Sequence, residues 1–123
     1  MPAQTGKASS TAPERRRRRY PRFRAEFPVA VTLFAGDEYH RLDAHCRDLS
    51  EAGMGVLLAA EVAQGEVAAL NFVLPSLHQP WQVRAVLRHR RGYNYGFEFL
   101  SLSAEQSGLL KNYLSSLARA DFD

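Results

Sequence analysis

The feature that most constrains the fold is a two-residue alternation of apolar and polar side chains, repeated along the chain, that gives way once to helical spacing near the C-terminus. In Phe27-Pro-Val-Ala-Val-Thr-Leu-Phe34, apolar residues recur at 27, 29, 31 and 33, which is how a strand with one buried face reads. Ala35-Gly36-Asp37 supplies the turn residues to close it. From Tyr39 to Asp48, Leu42, Ala44 and Cys46 alternate with Arg41, Asp43, His45 and Arg47, so a second strand points Cys46 inward. After Asp48-Leu-Ser-Glu-Ala-Gly53, a turn by its chemistry with Gly53 available for positive φ, Met54–Leu58 reads as a third strand. Val67–Leu74 ends at Pro75, Trp81–Arg90 is a fifth strand, and Arg91-Gly92 bends into Tyr93–Leu100. Leu109, Leu110, Tyr113, Leu114 and Leu117 then follow helical spacing, with Ser103 as N-cap and Gln106 completing a capping box. The expected fold is mainly β: a six-stranded antiparallel barrel plugged or flanked by a C-terminal α-helix of about four turns.

The inventory excludes several function classes. A chain of 123 residues with 46% hydrophobic content predicts one domain. No run reaches the roughly 18 apolar residues of a membrane-crossing helix, and no apolar signal region follows the N-terminus, so no membrane insertion and a cytoplasmic location are expected. Cys46 stands alone, which precludes an internal disulfide or a paired-cysteine metal clip. His40, His45, His78 and His89 lack metal-binding spacing, so no metal and no cofactor are expected. There is no GxSxG elbow, no Gly-rich loop ending in Lys and no supported Cys–His pairing, which argues against an enzyme.

Charge is unevenly placed. Residues 1–28 hold Lys7, Arg15 to Arg19, Arg22 and Arg24 against Glu14 and Glu26, a local net of +6 within a total of +3. The body is therefore slightly acidic, and an anionic ligand belongs on the arm. Residues 1–13 are small and polar with nothing to bury, and read as a disordered tail. Residues 14–26 form the basic arm, and residues 27–119 the barrel with its helix.

Two motifs stand out. The arginine run ends in Arg18-Arg19-Tyr20-Pro21-Arg22, an RxxxR, and after 25 further residues comes Asp48-Leu49-Ser50-Glu51-Ala52-Gly53, a DxSxxG. Together with Phe27-Pro-Val, the late Val86-Leu87-Arg88 and Gly96-Phe97-Glu98-Phe99, these residues resemble the bacterial PilZ domain family over nearly the whole body. That resemblance implies a six-stranded barrel with a C-terminal helix, and binding of the second messenger cyclic di-GMP. It assigns ligand contacts to Arg18, Arg22, Asp48, Ser50 and Gly53, with Arg17, Arg19 and Arg88 as candidates for additional ones.

The chemistry of the ligand matches those residue types. Cyclic di-GMP carries two phosphates and two guanines, and guanidinium forks suit both phosphate oxygens and the O6/N7 edge of guanine. Asp48 suits the N1 and N2 hydrogens of guanine, while Ser50 bonds base or backbone. Arg15 to Arg19 is also RxxxR, 28 residues before Asp48, so the register stays open. Arg18 with Arg22 is preferred because Arg22 lies beside Pro21, close to the first strand, whereas Arg15 gives up more entropy on binding. Ligand phosphates would then order the arm and create a face for an unidentified downstream protein. Two other readings share the sequence. One is a small nucleic-acid-binding barrel, which the joint motif makes the weaker reading. The other is an interaction module of the same fold that binds no nucleotide. Trp81, Tyr93, Tyr95, Phe97 and Phe99 could stack bases, but aromatics in so small a barrel are mostly core or rim. Arg84 and Arg88 share a strand face and suit acids such as Glu98 across the sheet.

Overall fold

A computed structural model describes residues 20–35 and 37–117. Its strands are β1 (Phe23–Ala35), β2 (Glu38–Leu49), β3 (Gly53–Leu57), β4 (Val67–Val73), β5 (Pro80–Arg91) and β6 (Asn94–Phe99), followed by helix α1 (Ala104–Leu114). Every pairing is antiparallel, and the sheet closes in the order β1-β2-β3-β6-β5-β4. The expected barrel and helix are thus both present.

The alternation that predicted the strands fills the barrel. Val29 and Val31 of β1, Cys46 of β2, Val56 of β3, Leu70 of β4, Leu87 of β5 and Tyr95 of β6 each expose 2% or less. Phe27, Phe72 and Trp81 pack as tilted rings, with centroids 5.6 and 6.0 Å apart in sequence. The Tyr95 hydroxyl donates to the Ala60 carbonyl and accepts from the Val62 amide, which ties the β3–β4 connection to the core. A buried phenol needs such partners, since an unmet hydroxyl costs about 1–3 kcal/mol.

Two boundaries differ from the sequence reading by more than one residue. β1 starts at Phe23, not Phe27, because Ala25 extends the inward alternation and the long β2 gives the extension a partner, with Phe23 opposite Leu49 and Arg24 opposite Asp48. Arg22 therefore precedes the strand directly instead of by five residues. Helix α1 has 11 residues, about three turns, and Leu117 lies beyond its end. Ser103 and Gln106 form the expected reciprocal cap, each side chain bonded to the other's backbone amide at 3.0 Å, and Leu110 and Leu114 bury against the barrel.

Three register shifts interrupt the ladders: between Arg24 and Phe27 in β1, between Cys46 and Asp48 in β2, and between Leu87 and His89 in β5. In β2 and β5 the bulge turns a side chain that strict alternation would place inside, Asp48 and His89, to the outer wall, whereas in β1 Phe23, Ala25 and Phe27 stay on the inner side across it. Asp48 and His89 line one cleft, to which Arg22, just ahead of β1, also contributes.

Candidate functional site

The cleft has a volume of about 340 Å³ and lies on the outer wall, where the start of β1, the end of β2, the β2–β3 turn and the middle of β5 and β6 converge. Position 48 shares its parity with inward Cys46, but the bulge sends Leu49 inside and Asp48 outside, where it faces Arg24. Arg22 reaches that carboxylate from the head of β1. Its Nε and Nη2 donate to Asp48 Oδ1 at 2.9 and 2.7 Å. Both side chains are largely covered, with 27% and 19% exposed.

Ser50 is buried and shapes the turn. Its Oγ accepts from the amides of Ala52 and Gly53 at 3.1 and 3.2 Å, while its own amide donates to the Gly53 carbonyl at 2.9 Å. Ser and Thr hydroxyls stabilise turns in this way, in place of a backbone ladder. Gly53 serves a different purpose from the one expected. Positive φ among described glycines occurs at Gly65 and Gly92, not at Gly53. A Cβ at 53 would instead lie 2.1 Å from the Phe97 carbonyl oxygen, so the absence of a side chain lets β3 approach β6.

Two glycines that the sequence reading did not single out shape this wall: Gly96 lines the cleft, and Gly55 adjoins it beneath Asp48. Gly55 pairs with Asp48 on one side and with Gly96 on the other. Their neighbours Met54, Val56, Tyr95 and Phe97 are buried inside the barrel, so both glycines face outward. A Cβ at 55 would meet both Asp48 carboxylate oxygens at 2.9 Å, and one at 96 would meet the His89 imidazole at 2.3 Å. Arg88 lines the same cleft and pairs with Glu98 across β5–β6. Arg17, Arg18 and Arg19 lie outside the described residues, as does the tail at 1–13.

Beneath the site, Cys46 is fully buried and its Sγ contacts the Asp48 carbonyl at 3.4 Å. Burial, reinforced by the nearby Asp48 charge, raises the pKa of the thiol far above the ordinary thiol range. It is a core residue and a poor nucleophile. Among the described residues, no group of three His, Cys, Asp or Glu side chains is placed to hold a metal ion. No described helix is long and apolar enough to cross a membrane. Trp81, Tyr95 and Phe97 lie inside the barrel and Phe99 is half-buried, which leaves Tyr93 as the one exposed aromatic of the five that could have stacked bases.

The family model for the PilZ domain matches residues 16–116. The chain belongs to the PilZ domain family. Among solved structures, the PilZ domain with c-di-GMP of YcgR from Escherichia coli superposes with a TM-score of 0.64 at 25% identity, covering 82% of this chain and 91% of that one. YcgR in complex with c-di-GMP, from the same organism, gives 0.62 at 28% identity over 81% of this chain and 45% of that one. The PilZ domain of CeSA from a cellulose-synthesizing bacterium shares the fold, with 0.59 at 18% identity over 77% and 95%. No curated protein matches the sequence. In this PilZ domain, the first arginine of RxxxR is outside the described residues. The second, Arg22, meets all three marked residues of DxSxxG in one cleft. Sequence reading missed His89, Gly55 and Gly96. Gly55 and Gly96 had a faint signal, being glycines inside strand patterns, where close approach is the usual cause.

Proposed function

We propose that this PilZ domain is a receptor for cyclic di-GMP that reports ligand occupancy to a partner protein. The observation that carries the reading is the Arg22–Asp48 pair at the mouth of the cleft. A guanidinium has five N–H donors, and two of them engage a single Asp48 oxygen. The others remain for phosphate or for guanine O6 and N7, and Oδ2 of Asp48 remains for the N1 and N2 hydrogens of guanine. The pair holds donor and acceptor in place before the ligand arrives, so little side-chain entropy is lost on binding. Ser50 fixes the turn that presents Asp48, and Gly53 keeps that turn against β6. The two YcgR structures support the reading, since both are complexes with c-di-GMP.

Arg18 completes the clamp from the arm, with Arg17, Arg19 and Arg88 as further donors. Seven arginines precede β1's midpoint in the sequence and repel one another; two ligand phosphates draw them on to the cleft. Three or four charge-assisted hydrogen bonds, at about 1.5–3 kcal/mol each, offset the ordering of a short arm and leave micromolar affinity. The covered surface becomes the face that a downstream protein recognises. The test is isothermal titration calorimetry with cyclic di-GMP at about 150 mM salt, with GTP, cyclic di-AMP and a short RNA as controls. Saturable heat with cyclic di-GMP alone is the expected result; heat with RNA alone overturns the reading. For the arm, the expected result is a shift in the NMR signals of residues 15–19 at saturation, and unchanged signals would remove that step.

A further inference from the structure

The β5 bulge turns a histidine on to the cleft. Trp81, Val83, Ala85 and Leu87 point inward, and strict alternation would send position 89 after them. The register shift between Leu87 and His89 places the imidazole on the outer wall instead, opposite Gly96. There it fills the space that a Cβ at 96 would need, with Nε2 at 2.3 Å and Cε1 at 2.4 Å from that position. The lack of a side chain at 96 is what lets the ring lean over the sheet.

The ladder continues beyond that pair. His89, Gly96, Gly55, Asp48 and Arg24 form one row across five strands. Its two central residues present only backbone, about 5 Å from strand to strand. Asp48 leans over one glycine and His89 over the other, so the trough has an acidic wall clamped by Arg22 and an imidazole wall facing it. The other charged groups of the cleft are paired, Arg22 with Asp48 and Arg88 with Glu98. Among the described residues, nothing bonds to the His89 imidazole.

Taking the cleft as the cyclic di-GMP site, we infer that His89 is a further ligand-binding residue whose imidazolium donates to a phosphate oxygen on the wall opposite Arg22. A cyclic dinucleotide carries its two phosphates on opposite sides of the ring, which suits one cation on each wall. Protonation and binding are then linked: the cation strengthens anion binding, so affinity rises as pH falls through the imidazole range, and binding takes up a proton. The titratable and charged groups that share the cleft with His89 are Tyr20 ahead of β1, Arg22, Asp48, Arg88 and Glu98. Of these side-chain types, the imidazole is the one that ordinarily changes charge between about pH 5 and 8. His40, His45 and His78 lie away from the cleft.

The test is calorimetric titration of the full chain with cyclic di-GMP across that range, in two buffers of different ionisation heat. The wild type should lose about fivefold to tenfold in affinity from the acid to the alkaline end and take up protons on binding. His89→Gln should bind with a flatter pH profile and little uptake. Gly96→Ala, whose methyl meets the movable ring first, should fold and behave like His89→Gln, and the double variant should be no worse than either single one. An unchanged pH profile in His89→Gln overturns the assignment of His89 while leaving the receptor reading intact. No saturable binding by the wild type at any pH overturns the receptor reading itself.

Discussion

Arg22 and Asp48 meet across 26 positions of sequence, with Nε and Nη2 of the guanidinium converging on one carboxylate oxygen at 2.9 and 2.7 Å. Two donors on one oxygen is a side-on arrangement, distinct from the parallel fork in which both carboxylate oxygens are consumed. One oxygen thus remains for a ligand. The pair also staples the head of β1 to the end of β2, so the same contact sets the geometry of the cleft and the point at which the basic arm leaves the barrel.

Removing either partner should therefore weaken ligand binding. Arg22→Ala and Asp48→Ala are each expected to raise the Kd for cyclic di-GMP tenfold or more, on about 1.4 kcal/mol per decade. Each should also cost stability, by more than the roughly 0–1 kcal/mol of an exposed pair, because both side chains are largely covered and the one left behind keeps an uncompensated charge. Calorimetry and a urea melt on the same samples check both halves. A large loss of stability with unchanged affinity would make the pair a structural staple only.

The register of the arginine pair is open to a direct comparison. Arg18→Ala should weaken binding strongly while Arg15→Ala changes it little, since Arg18 with Arg22 forms the pair nearer the barrel. Deleting residues 1–13 should leave affinity within about a factor of three. The reverse ranking would place the clamp at Arg15 and Arg19.

Cys46 makes alkaline stability predictable in sign. Its pKa is raised in the folded protein, first by burial and then by the Asp48 charge, whereas an unfolded thiol titrates near 8.5. The folded state keeps the proton that the unfolded state releases, so this contribution is fully present below about pH 8.5. It falls by up to about 1.4 kcal/mol per pH unit above that. Urea midpoints should therefore decline from about pH 8.5 upward in the wild type and more gently in Cys46→Ala. The native thiol should resist alkylation at pH 8 and react fully in denaturant. Rapid alkylation without denaturant would show that the thiol is not buried.

The inward residues were legible because period two is a direct record of which face is buried: Phe27, Val29, Val31, Leu33 and Cys46 all lie inside as read. The bulges were not, because one extra residue reverses the face of everything after it and leaves no compositional trace. Asp48 and His89 both follow a bulge, and both stand outside against strict alternation. The early start of β1 was hidden by arginines that read as a solvated arm. The helix cap was legible because its two side chains are local, whereas the Asp48–Gly55–Gly96–His89 row joins four strands and exists only once the barrel closes.

Gly53 and Gly55, two residues apart, should fail in different ways. At Gly53 an added Cβ would meet the Phe97 carbonyl oxygen at 2.1 Å, with the Phe97 carbonyl carbon and Glu98 Cα at 3.1 and 3.2 Å. All three are backbone, so strand β3 must move away from β6. Gly53→Ala should therefore destabilise the fold by about 1–3 kcal/mol, in the range of overpacked sites. At Gly55 the added Cβ would meet the Asp48 carboxylate, at 2.9 Å from both oxygens. A side chain can swing where backbone cannot, so Gly55→Ala should keep more of its stability. It should lose ligand affinity to about the extent of Asp48→Ala, because the displaced carboxylate leaves both the cleft and Arg22. Combining Gly55→Ala with Asp48→Ala should then add little further loss of affinity, as expected when two changes act through one group. Thermal melts separate the two glycines, and titration of the double variant decides whether Gly55 acts through Asp48. Full additivity would mean that Gly55 contributes to the cleft by a route other than the room it gives that carboxylate.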